Sequence, residues 1–138
     1  EGGVDRDKTC AGVCVISKKK ILVNQSYNLF WGIPKGIVEN NESLIDCALR
    51  ELEEETSVKL EPTDLAKYVF SFRYTNINRK ICIFFAILPD YHVLNELSFD
   101  NDSTGYGFIK PLCLLELFYS RKIKINYFTR VLINKLFL

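Results

Sequence analysis

Glu51, Glu54 and Glu55 carry the first chemical signal, within the run Arg50-Glu51-Leu52-Glu53-Glu54-Glu55. On a helix, positions i, i+3 and i+4 share one face, so these three carboxylates would crowd into a single turn. Like charges at that spacing repel, and the arrangement gains only if a cation sits among them. Hard divalent ions such as Mg²⁺ are held by clustered carboxylate oxygens, commonly together with substrate phosphates. The plainer reading is a solvated acidic helix face, which most acidic runs are. Eight residues before Arg50 stands a further acid, Glu42, and six before that a glycine, Gly36.

A helix must present those acids. Asn40-Asn41-Glu42 reads as a turn and helix start, and residues 43–56 as the helix, with Leu44, Ala48 and Leu52 along an apolar face. Residues 9–16 are β-rich, and Lys18-Lys19-Lys20 reads as a turn into a second strand over residues 21–25. From there a loop runs through Trp31 and Pro34 to Gly36. Pro62 breaks the chain ahead of a strand over residues 66–74, and Asn76-Ile77-Asn78 reads as a hairpin turn into residues 79–88. Residues 89–107 read as a long polar loop, 106–109 as a short strand, and 112–118 and 126–137 as helices. This order supports a mixed α and β domain, with residues 1–138 as one unit.

Composition narrows the classes. Hydrophobic content of 48% and charged content of 25% are ordinary for a globular domain, and a formal charge of +1 gives no general pull towards nucleic acid or membrane. The charge is unevenly placed: acids dominate residues 39–64, whereas Arg121, Lys122, Lys124, Arg130 and Lys135 near the C-terminus face no acid among residues 121–138. That asymmetry fits either a phosphate-facing surface or a solvated helix with lysine stems lying on apolar neighbours. The five cysteines are odd in number and form no CxxC pair, as expected of buried thiols in a reducing, cytoplasmic setting. No secretory signal is visible, and the longest apolar run, residues 81–88, is too short to span a bilayer. The opening Glu1-Gly2-Gly3 and the lack of methionine are expected of a processed or trimmed chain.

Gly36, Glu42, Arg50-Glu51-Leu52, Glu54-Glu55 and Val58 follow the spacing Gly-x5-Glu-x7-Arg-Glu-apolar-x-Glu-Glu-x-Gly-apolar, with Ser57 in place of the last glycine. In this the chain resembles the Nudix hydrolase superfamily, and Trp31-Gly32-Ile33-Pro34-Lys35 is similar to the usual lead-in. The resemblance implies an α+β fold, an α/β/α sandwich with a mixed β-sheet between helices. It implies hydrolysis of a phosphoanhydride in a nucleoside diphosphate linked to another group. Such an anhydride is protected by its own negative charge, so catalysis is charge neutralisation plus positioning of water. The implied cofactor is Mg²⁺ or Mn²⁺, at Glu51, Glu54, Glu55 and the main-chain carbonyl of Gly36. Arg50 and Glu42 match the positions that orient these carboxylates through a charge-assisted pair. Glu53 is expected to be solvated. Ser57 falls where a left-handed helix end favours glycine, at a cost of ~1 kcal/mol. For the general base, Asp102 aligns with an acid that some relatives carry in the loop that also holds Glu96 and Asp100; otherwise Asp102 is a turn residue and a box glutamate such as Glu54 or Glu55 serves. His92, the single histidine, is expected to be a loop or strand-edge residue.

Pro34-Lys35-Gly36, the compact length and Tyr74 resemble asymmetrical diadenosine tetraphosphate hydrolases. That likeness implies a dinucleoside polyphosphate substrate, with Tyr74 stacking on adenine and Lys35 and Lys80 (or Arg79) on phosphates. Tyr74 reads equally as a strand aromatic among Tyr68, Phe70 and Phe72, and Phe30 stands where those enzymes usually carry histidine. Residues 31–36 with Asp46-Cys47-Ala48-Leu49-Arg50-Glu51 also resemble the catalytic domain of messenger-RNA decapping enzymes, though their helical regulatory domain has no match here. The dinucleoside polyphosphate is the leading expectation; this second likeness, the runner-up, implies an RNA 5′ end as partner, with the basic C-terminal helix along its backbone and binding that falls with salt. Membership of the superfamily is equally compatible with pyrophosphohydrolysis of nucleoside triphosphates and with a catalytically silent binding module. Silent modules typically lose box acids, and all are present here. No membrane partner is expected, and the chain is expected to act as a monomer or homodimer.

Overall fold

The computed structural model describes residues 8–89 and 105–138. Its elements run β1 (Lys8–Ser17), β2 (Lys20–Gln25), β3 (Phe30–Gly32), β4 (Lys35–Ile37), α1 (Leu44–Thr56), a 3-10 turn (Pro62–Asp64), β5 (Val69–Tyr74), β6 (Arg79–Ile87), β7 (Tyr106–Ile109), α2 (Pro111–Tyr119), β8 (Lys124–Ile125) and α3 (Tyr127–Leu136). Alternation along β1 sets the layers. Ala11, Val13 and Val15 enter one apolar cluster, while Cys10 and Cys14 enter another on the opposite face. A strand with both faces buried must sit at the centre of a sandwich. α1 covers the first face with Cys47, Ala48 and Leu52, against Leu22 and Phe84. α2 and α3 cover the second with Leu114, Leu115, Phe128, Leu132 and Ile133, against Ile21, Val23, Ile81 and Ile83. The result is the expected helix–sheet–helix sandwich around a mixed sheet.

The sheet forks at β1. One edge pairs in parallel with β6 from Lys8–Arg79 to Ile16–Ile87. The other edge is shared: Cys10, Ala11 and Gly12 take β4, whereas Ile16 and Ser17 take β2. Gly12 stands at the split, where a Cβ would run into the Pro34 carbonyl. β2 then peels away to carry β3 on one side and β7 on the other, and β8 lies parallel to β3. Lys18 and Lys19 form the β1–β2 turn with φ of 52° and 66°, the left-handed pair that matches strand twist in a two-residue hairpin.

The loop expected between Gln25 and Gly36 is a correction. It contains β3 and β4, three residues each, which owe their extended form to long-range partners rather than to any period of their own. The helix carrying the acids forms as expected. Ser43 caps it by accepting from the Asp46 N–H at 3.0 Å. Ser57 closes it at φ 64°, donating its N–H to the Glu53 carbonyl at 2.9 Å. Asp102, Glu96, Asp100 and His92 lie outside the described residues.

Candidate active site

Arg50 is the fixed point of the acidic cluster. Its Nε donates to Glu42 Oε2 at 2.7 Å and its Nη2 to Glu42 Oε1 at 3.0 Å, two parallel bonds that suit a planar guanidinium. Its Nη1 donates to Glu51 at 2.9 Å and to both oxygens of Glu54 at 3.3 and 3.4 Å, and its Nη2 also reaches the Ile37 carbonyl at 3.3 Å. One side chain thus ties the helix to its preceding loop and to β4. Glu42 also accepts from the Glu39 N–H at 3.0 Å. The Arg50 hydrogen bond, with that of Glu39, holds its carboxyl down at about 2. Glu42 in turn holds the guanidinium proton far above its ordinary range.

Gly36 and Glu51 fit by exclusion. The Glu51 carboxylate occupies the space that a Cβ at position 36 would need, so any side chain there would evict it. Glu55 lies beside Glu51 and accepts from Asn24 Nδ2 at 3.0 Å. Burial, then the neighbouring Glu51 carboxyl, push the Glu55 carboxyl up to about 8. A like charge beside a half-buried carboxylate disfavours its ionised form, and a cation between the two relieves that cost. This donor set therefore fits a hard divalent ion held by Glu51 and Glu55 beside Gly36. Glu54 is turned outward onto Arg50, its side chain 57% exposed, and Glu53 is exposed. Among the described residues, no three His, Cys, Asp or Glu side chains form a closed set.

Glu55 opens onto a cleft of about 1040 Å³, lined also by Asn24, Phe30, Lys35, Tyr74, Arg79, Tyr106, Asn126 and Phe128. Lys35 Nζ lies 5.5 Å from the Phe128 ring centre, so its charge is poised over an aromatic face. Tyr74 packs edge-on to Phe72, ring centres 5.0 Å apart. Burial raises the Tyr74 hydroxyl. Arg79, opposite Tyr74 across the β5–β6 hairpin, lines the cleft, and its buried Nε has no hydrogen-bond partner. Lys80 pairs with Arg73 and is not a lining residue, as alternation along β6 requires.

Sequence reasoning missed Asn24 and Asn126. Asn24 had a signal: it ends the apolar run Ile21-Leu22-Val23, and alternation sends it to the α1 face with Leu22. Asn126 had none, since an asparagine ahead of a helix reads as an ordinary cap.

A model of the NUDIX domain matches residues 7–116. The chain belongs to the Nudix family. Among its relatives is "Putative hydrolase 111R" of Invertebrate iridescent virus 3, 39% identical over 113 residues, covering 80% of this chain and 63% of that protein. A shorter match, 51% identical over 43 residues, is to the mRNA-decapping protein g5R of African swine fever virus, covering 29% of this chain and 18% of that protein. This Nudix domain thus spans under two thirds of either viral relative. In structure it is similar to DR0079 of Deinococcus radiodurans, with a TM-score of 0.70 at 15% identity over 100% of this chain and 88% of that one. It is also similar to the C. elegans Ap4A hydrolase, with a TM-score of 0.57 at 17% identity over 78% of this chain and 83% of that one. At such identities the likeness carries the fold alone. Family and fold agree with a Nudix hydrolase. Among the described residues, no helix is long and apolar enough to cross a membrane.

Proposed function

We propose that this Nudix domain hydrolyses a phosphoanhydride in the polyphosphate bridging two nucleosides, and that it meets this bridge at the 5′ end of RNA. The observation that carries the reaction is the Glu51–Glu55 pair, braced by Arg50 and Glu42 and opening onto a cleft with Lys35 and Arg79 on its walls. A bound Mg²⁺ or Mn²⁺ would neutralise phosphate charge and acidify water there. The chain's own residues do the rest. Arg50 fixes the Glu51 carboxylate, so it need not reorganise as charge develops. Glu55, once it gives up its proton, is a carboxylate poised to take one from water; Asp102 is the second candidate for that base. Lys35 and Arg79 offer positive charge along the bridge, and the aromatic walls suit nucleobases.

The RNA end is favoured by the stretch that is 51% identical to an mRNA-decapping protein, because a cap is itself two nucleosides joined by polyphosphate. Free dinucleoside polyphosphates such as diadenosine tetraphosphate are the second reading, supported by Tyr74 on the cleft wall. Product analysis with Mg²⁺ on capped RNA, triphosphorylated RNA, diadenosine tetraphosphate and nucleoside triphosphates tests both. Release of a nucleoside diphosphate and 5′-monophosphorylated RNA is expected. Cleavage of triphosphates alone would overturn the bridged-substrate reading, and no turnover would leave a binding module.

A further inference from the structure

We infer that Asn24 is a positioning residue for Glu55: from the sheet it fixes the one carboxyl that Arg50 does not hold, and so sets how firmly the site takes a divalent ion. The inference deepens the proposed hydrolysis and rests on its metal site. Arg50 braces Glu42, Glu51 and Glu54 from within α1. Glu55 is the last residue but one of that helix, where helical turns fray, and its tie comes from another layer. Asn24 Nδ2 donates to Glu55 Oε1 at 3.0 Å, across 31 residues of sequence. Holding one oxygen fixes the plane of the carboxyl, and hence the direction of the other.

The sheet makes Asn24 a rigid donor. Its backbone pairs with Gly32 of β3 on one side and Tyr106 of β7 on the other, so both edges of β2 are held at this residue. Ile21, Leu22 and Val23 before it are fully buried, and alternation puts Asn24 on the face of Leu22, towards α1. Asparagine is a poor strand former. A residue that defies its local preference within a doubly paired strand is expected at a functional position. The kind of donor matters as well. A lysine or arginine at position 24 would hold Glu55 as an ion pair and compete with the metal for its charge. An amide orients the carboxylate and leaves that charge to the cation, as a partner behind a metal ligand should.

Mn²⁺ affinity, read by electron paramagnetic resonance on the protein without substrate, tests this apart from turnover. Asn24→Ala should weaken Mn²⁺ binding about tenfold or more, as the loss of a partner behind a metal ligand does. Asn24→Leu, close in size but without a donor, should weaken it as far, whereas a packing role would survive that change. On the Glu55→Ala chain, Asn24→Ala should cost less than about twofold, because Asn24 acts through Glu55. Thermal melts without metal control for folding of each variant. Wild-type Mn²⁺ affinity in Asn24→Ala or Asn24→Leu, or an undiminished loss on the Glu55→Ala chain, overturns the inference. If Glu55→Ala loses the metal while Asn24→Ala keeps it, this inference alone falls. If Glu55→Ala itself binds Mn²⁺ like the wild type, the metal-site reading falls with it.

Discussion

The α1 face and the cleft it borders are built on opposite principles. On α1, charge is met by charge: Arg50 serves Glu42, Glu51 and Glu54, and Glu55 accepts from Asn24. In the cleft, two buried polar atoms, Arg79 Nε and Asn126 Oδ1, are left without a hydrogen-bond partner among the described residues. A satisfied network holds its geometry when nothing is bound, whereas an unsatisfied one gains by binding. On the proposed function, the difference separates the face that would do the chemistry from the cleft that would hold the ligand.

The comparison breaks most sharply at Glu55. Glu55→Gln should lower kcat by about 10³-fold and leave KM and the melting temperature near wild type; steady-state kinetics retaining near-wild-type turnover would remove Glu55 from the chemistry. Arg50→Lys, which keeps charge but loses the fork, should cost about 10- to 100-fold in metal affinity or kcat. Titration with Mg²⁺ or Mn²⁺ would show it, and an unshifted metal dependence would mean that the acids hold themselves. On the cleft side, Arg79→Ala should raise KM about tenfold with kcat little changed, while Lys80→Ala should do neither. Equal effects from the two would erase the distinction that strand alternation makes between them.

A smaller effect is expected with pH. The Glu55 carboxyl is raised from an ordinary 4.5 to about 8, so the folded, metal-free protein holds a proton that the unfolded chain releases in that window. Stability without metal should therefore fall as pH rises from about 4.5 to 8, and added Mg²⁺ should restore more of it at the upper end. Glu42 works the other way: lowered from 4.5 to about 2, it stabilises above 4.5 and that contribution is lost as pH falls towards 2. Calorimetric melts across pH, with and without Mg²⁺, would sink this account if the curves ran parallel. Smallest of all, Ser57→Gly at φ 64° should stabilise the fold by ~1 kcal/mol without touching kinetics.

The α1 face was legible because its parts are local. Ser43, Arg50, the glutamates and Ser57 lie on one helix or its ends, and a period of 3.6 relates them. The β1 strand and the β5–β6 hairpin were legible for the same reason. β3, β4 and β8 were not, since two or three residues show no period and are extended only because partners elsewhere hold them. The cleft was only partly readable. Tyr74, Lys35 and Arg79 were in view, yet choosing Arg79 over Lys80 needed the register of β6, and Asn126 needed Gly32 brought beside it.

The parallel ladder between β1 and β6 bears on how the chain is made. β1 is synthesised well before β6, yet its longest partnership waits for residues as distant as Arg79 and Ile87. Distant parallel pairing is entropically slow to form. A nascent chain that ends after α1 already holds the described carboxylates of the site and the arginine that arranges them. Its central strand, though, is an apolar ribbon with one edge open, ready to pair with a stranger. Ribosomal pausing between α1 and β6 should therefore favour aggregation.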